Sequence, residues 1–236
     1  MLSGVMEPYV IRQGDTLATL AYRFGFDADV VWNDPKNDDL RKRRSDPNIL
    51  KPTDILYIPE RASAPSFTLV TGTMNSFVSY EPTVPIHVHF VDRRLASQPL
   101  TVGELEDLTG LSTDSSGWAK FDAPVTLRTA TVTFPEVPFT CTLRVGQLDP
   151  INTLSGSYQR LRNLGYIDAT YDDTCSLDVV RSALAALKQD LAAPSSAAPE
   201  GPDDDGATPT NANNGMNDDG TMDDETSKLL LETHGC

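Results

Sequence analysis

The apolar residues of this chain change period twice, and a chain that does so cannot fold as one repeating layer. Leu17, Leu20, Ala21 and Phe24 fall at i, i+3, i+4, i+7, the stripe of a helix with one buried face. From Phe67 to about Val145 the spacing becomes two. Ile86, Val88 and Phe90 alternate there with His87 and His89, as in a half-buried strand. From Leu148 the helical spacing returns, with Leu177, Val180, Leu184, Leu187 and Leu191 on one stripe. Three such regimes in 236 residues predict an α+β multidomain chain.

Before the first helix, Tyr9-Val10-Ile11 is a short apolar strand that runs into a glycine turn. Either Asp15 or Thr16 caps the helix, because each offers an oxygen to an orphan N–H of the first turn. Gly25 ends it. Asp27 to Asn33, with Val30, Val31 and Trp32, reads as a second short helix, and Ile55 to Pro59 as a closing strand.

This βααβ order resembles the LysM domain, a small glycan-binding module. The resemblance is carried by Tyr9, Val10, Gly14-Asp15-Thr16-Leu17, Ala21, Phe24-Gly25, Asn33, Asn48-Ile49-Leu50, Pro52, Asp54, Leu56 and Ile58-Pro59. There are two departures. The connection from Asn33 to Asn48 is longer than is usual, and Thr53 stands where a glycine is common. The resemblance implies a sugar groove with Gly14, Asp15, Thr16 and Leu17 on one side and Asn48, Ile49, Leu50 and Lys51 on the other. Such a groove gives backbone N–H and C=O groups to N-acetyl arms and an apolar wall to the sugar ring. The alternative is structural: Asp15 and Thr16 only cap the helix, and Ile49 and Leu50 only fill the core.

Residues 61–66 read as a linker between residues 1–60 and a β-region at 67–147. Besides Ile86–Phe90, strands are predicted at Phe67–Val70, Val102–Leu105, Trp118–Phe121, Thr129–Phe134 and Phe139–Val145, as in a small β-sandwich. The turn Thr113-Asp114-Ser115-Ser116-Gly117 is similar to one in transthyretin-like sandwiches. Residues 148–236 read as three helices. Tyr158, Leu161 and Leu164 lie on the first, and the Leu177–Leu191 stripe, with Ser176 as cap, on the second. Thr226, Leu229 and Leu230 form the inner face of the third, capped within Thr221–Asp224. An acidic stretch at 192–217, without apolar periodicity, reads as a disordered insertion. Gln159 to Tyr166, the Leu177–Leu187 helix and Gly220 to Thr226 resemble a peptidoglycan-binding three-helix domain. The order of modules is similar to accessory proteins of type VI secretion and related contractile injection systems.

Net charge is −15, so nucleic acid is an unfavourable partner. No run approaches the ~20 apolar residues of a membrane helix. Met1 to Pro8 lacks a basic region followed by an apolar core. Synthesis in the cytoplasm is therefore expected, with action at the envelope or export through a contractile system. Cys175 and Cys236 pair after export or stay reduced in the cytoplasm, and with Cys141 they are too few and too scattered for a zinc site. His87 and His89 share one strand face without an evident third ligand. Asp203-Asp204-Asp205 and Asp218 to Glu225 lack the alternating calcium-loop pattern. Arg41-Lys42-Arg43-Arg44 reads as a solvated basic face, or as a contact for an anionic wall polymer or an acidic partner. No catalytic motif and no cofactor is expected. The chain is expected to be a non-catalytic binder of peptidoglycan or chito-oligosaccharide, or else an adaptor that binds spike or tube proteins of a secretion machine.

Overall fold

The computed structural model describes residues 5–60, 68–76, 81–105, 107–168, 175–192 and 214–235. The chain is mixed α+β with small antiparallel sheets, and it divides into compact units Met1–Leu148 and Asp149–Cys236. The predicted linker, most of the acidic stretch and Cys236 lie outside the described residues.

In the first unit, β1 (Met6–Val10) pairs antiparallel with β2 (Ile55–Pro59). Against this ribbon lie α1 (Leu17–Phe24) and α2 (Ala28–Trp32), which close a core of Ile11, Leu17, Leu20, Val31, Leu40, Leu50, Leu56 and Ile58. Thr16, not Asp15, caps α1: its hydroxyl accepts from Thr19 N at 3.1 Å, and the Thr19 hydroxyl accepts from Thr16 N at 2.9 Å. Gly25 ends the helix at φ +74°.

The long connection before Asn48 is a folded insertion. A 3-10 turn at Pro35–Asn37 leads into α3 (Asp38–Arg43). Leu40 enters the core, but two buried polar groups do most of the fixing. Asn37 is fully buried and works as a surrogate strand. Its amide nitrogen donates to Val31 O and Tyr57 O, both at 2.8 Å, and its oxygen accepts from Tyr57 N at 2.7 Å. Arg44, also buried, makes a two-pronged pair with buried Asp54 at 2.7 and 3.0 Å. The basic cluster is divided: Lys42 and Arg43 are exposed, as on a solvated face, whereas Arg44 is buried. Arg41 donates to Trp32 O and pairs with Asp38, Lys42 lies 3.6 Å from Asp39, and Arg43 lies 3.5 Å from Asp54.

Both margins of the β1–β2 ribbon are blunted. Tyr57, opposite Pro8, spends its backbone groups on Asn37. Pro8 is therefore turned outward along the β1 margin, where it has no N–H to give.

Further along, β3 (Thr83–His89) pairs with β5 (Trp118–Pro124), and β6 (Thr129–Phe134) lies between β4 (Thr101–Val102) and β7 (Phe139–Arg144). Phe90, Val102, Phe121, Val132 and Phe134 meet in one core beneath both sheets. Two predicted strands are corrected. Residues 68–70 form no strand, and Phe67 lies outside the described residues. The strand expected over Val102–Leu105 stops at Val102, because Leu105 N turns back to Val102 O at 3.0 Å. In the Asp114 turn, the carboxylate accepts from Ser116 N and Trp118 N at 2.8 and 2.9 Å, which holds its pKa below the ordinary value. Gly117 has φ +85°, and a Cβ there would lie 2.3 Å from Phe90 O, so only glycine fits.

The second unit packs α4 (Leu154–Asn163), α5 (Leu177–Ala192) and α6 (Asp224–His234) around Tyr158, Leu161, Val180, Leu184, Leu187, Met216 and Leu230. Leu191 does not complete the stripe: it is exposed, one turn beyond the last core layer. Ser176 Oγ accepts from Val179 N at 3.3 Å, and Asp223 caps α6 by accepting from Thr226 N at 2.7 Å. A shallow depression of about 420 Å³ is lined by Lys188, Glu225, Thr226, Lys228, Leu229 and Glu232.

Candidate functional site

The β1–α1 turn is organised by a carboxylate that the solvent barely reaches. Asp15 accepts from Tyr9 Oη at 2.9 Å, from Arg12 N at 3.0 Å and from Arg23 Nη2 at 3.0 Å. Burial, and then the bond to Asp15, push the Tyr9 phenol above its ordinary pKa. The Arg23 guanidinium lies 5.1 Å from the Phe24 ring centre and 5.8 Å from that of Tyr9. Asp15 thus locks the turn, while the adjoining Thr16 caps the helix.

The second loop folds directly against this turn. Leu17 N donates to Pro47 O at 3.1 Å, and Ala18 N to Asn48 Oδ1 at 3.2 Å. Asn48 is itself set by its N–H, which donates to Asp46 Oδ1 at 2.7 Å. Lys51 N donates to Asp54 Oδ2 at 3.0 Å, so the ion pair with Arg44 also holds the end of this loop. The insertion meets the second loop through Arg44, which pairs with the Asp54 carboxylate that also accepts from Lys51 N.

The eight residues singled out in the sequence are thus brought into two adjoining loops, but they do not share one role. Asp15, Thr16, Leu17 and Leu50 are buried, with Leu17 and Leu50 in the core. Gly14 and Ile49 are half-buried, and Asn48 and Lys51 are exposed. Two of the first backbone N–H groups of α1 are already spent on the facing loop. Of the eight, the residues that keep solvent exposure are Gly14, Asn48, Ile49 and Lys51, and these form the lip left open on the two loops.

Three further residues reach this lip from the β-region of the same unit. Arg128 Nη1 donates to Gly14 O. Gln13 Nε2 donates to Gln147 O at 3.4 Å, and the Gly146 backbone lies against Thr16. No local pattern announces Arg128, which is 114 positions away from Gly14.

The two histidines have different surroundings. His87 is exposed, whereas His89 stacks on Trp118 at 4.4 Å and 5°, with Nε2 3.0 Å from Ser116 O. Among the described residues no group of three or more His, Cys, Asp or Glu side chains is arranged to hold a metal. Of the acidic residues before α6, Asp218 pairs with Arg181 at 2.6 Å, Asp219 accepts from Thr221 N at 2.9 Å, and Asp223 is the cap. Cys141 and Cys175 are both half-buried, and burial raises each thiol pKa. No helix among the described residues is long and apolar enough to cross a membrane.

Comparison with known proteins finds no matching family model, no matching curated protein and no matching solved structure.

Proposed function

We infer that the chain is a non-catalytic binding protein whose residues 5–60 form a LysM-like module for N-acetylglucosamine-containing glycan, with peptidoglycan at the bacterial envelope as the natural target. The observation that carries this reading is the side-by-side seating of the two loops, joined at Leu17 N–Pro47 O and Ala18 N–Asn48 Oδ1. Their common lip offers a carbonyl, an amide, an aliphatic wall and an ammonium, a set suited to acetamido and hydroxyl groups. The second unit, read as a peptidoglycan-binding-like helical domain, adds a second attachment point of the same class.

The test is a titration of the full chain with chitotetraose, followed by NMR, beside a pull-down on insoluble peptidoglycan. Glycan binding moves the amides of Gly14 and Asn48 to Lys51 and retains the protein on sacculi. Unmoved amides and no retention would sink the reading.

A second reading, an adaptor within a contractile injection machine, is favoured by a different observation. The outer face of the β1–β2 ribbon carries the cross-strand pairs Met6–Pro59, Pro8–Tyr57 and Val10–Ile55, and all six residues are apolar or aromatic. Val10 and Ile55 are 55% and 46% exposed. An apolar strip of this kind suits a protein partner better than a sugar. Val10→Asp with Ile55→Asp would abolish assembly in that case, and would leave sugar titration unchanged in the first.

A further inference from the structure

The Gly14 lip is the part of the trough that this chain itself touches from elsewhere. The contact comes from the base of the β6–β7 hairpin, where Val145 N donates to Arg128 O at 2.9 Å and ties the two ends together. From that base the Arg128 guanidinium takes the Gly14 carbonyl and the Gln147 carbonyl takes the Gln13 amide. Gly146 closes over the Thr16 methyl: at φ +72°, a Cβ there would come within 3.2 Å of Thr16 Cγ2 and 3.7 Å of Gly14 O. Backbone conformation and close approach both call for glycine at this position.

We propose that this hairpin base is a latch over the sugar trough, so that glycan and Arg128 compete for the Gly14 carbonyl. The inference rests on the glycan reading above. Three properties fit a latch better than a fixed joint. Arg128 is exposed, so no buried charge is created when the contact opens. Among the described residues, the contacts that join the hairpin base to the lip include two polar hydrogen bonds and one glycine approach. The atom it covers is also the one backbone carbonyl among the lip groups named above, placed to receive an acetamido N–H or a sugar hydroxyl.

A closed latch lowers apparent affinity in proportion to the fraction of molecules that are closed. One hydrogen bond from a charged donor shifts such an equilibrium by about tenfold. Arg128→Ala in the full chain therefore binds chitotetraose about tenfold more tightly than the wild type. In the absence of sugar, the amides of Gly14 to Leu17 already shift in that variant. Since Arg128 is exposed, the substitution leaves the fold intact. Equal affinity of wild type and variant overturns the latch and leaves the glycan reading standing. Weaker binding by Arg128→Ala makes Arg128 a sugar contact and also overturns the latch. Absence of binding by both proteins overturns the latch together with the reading beneath it.

Discussion

Thr53 sits at φ +79°, in the left-handed region, at the turn that delivers the chain into β2. A β-branched residue pays there because its Cβ crowds the carbonyl that follows it, at about 1–2 kcal/mol. Thr53 N donates to Ile11 O at 2.9 Å, a bond that any non-proline residue keeps, and the side chain is exposed, so little is lost with it. Thr53→Gly removes the crowding but makes the unfolded chain more flexible, a penalty of about 0.5–1 kcal/mol. The balance is a stabilisation of about 0.5–1 kcal/mol, or roughly 1–4 °C in Tm for a unit of this size. Urea unfolding followed by Trp32, which packs against the module's core, measures it. Thr53→Ala keeps the Cβ but loses the branch, and should fall between the two. If Thr53→Gly instead costs the ordinary ~0.5–1 kcal/mol of a glycine substitution, the turn is not left-handed and the reasoning is refuted.

Removing the Arg44 guanidinium leaves the buried Asp54 carboxylate, among the described residues, with Arg43 and the Lys51 N–H, so Arg44→Ala costs about 3 kcal/mol in chemical denaturation. Asn37→Ala leaves both backbone groups of Tyr57 without that partner and costs about 2–3 kcal/mol, read in the same assay. Asp223→Ala loses the α6 cap, about 1 kcal/mol, whereas Asp223→Asn keeps it. The Thr226 backbone N–H holds the Asp223 pKa below its ordinary value. Its contribution is therefore complete above about pH 3.9 and is lost as pH falls through the lowered folded value. Acid melts of Asp223→Asn should lack that component.

The elements legible in the sequence are those whose signal is local. The Leu17–Phe24 stripe, the alternation before Phe90 and the Val180–Leu187 stripe each turn their apolar residues toward a core, some of them, such as Phe24, Ile86 and Val88, only half-buried, because period decides which side faces inward. The insertion at Asp34–Asp46 was illegible for the opposite reason. It supplies one core residue, Leu40, and is held by Asn37 and Arg44, polar side chains that an apolar pattern assigns to solvent. The candidate site divides in the same way. Its two loops were legible as turn and cap chemistry. The burial of Asp15 needs Tyr9 and Arg23 in three dimensions, and the arrival of Arg128 needs a hairpin more than a hundred residues away.

A two-stranded ribbon left bare on both sides is an invitation to polymerise, since each copy could continue the ladder of the last. Here one margin is occupied by a side-chain amide and the other is interrupted by an imino acid. A macromolecule that engages the β1–β2 ribbon must therefore do so across its flat side, through side chains, and not by extending the ladder. The module can be presented at high local density on a surface without zipping into fibres.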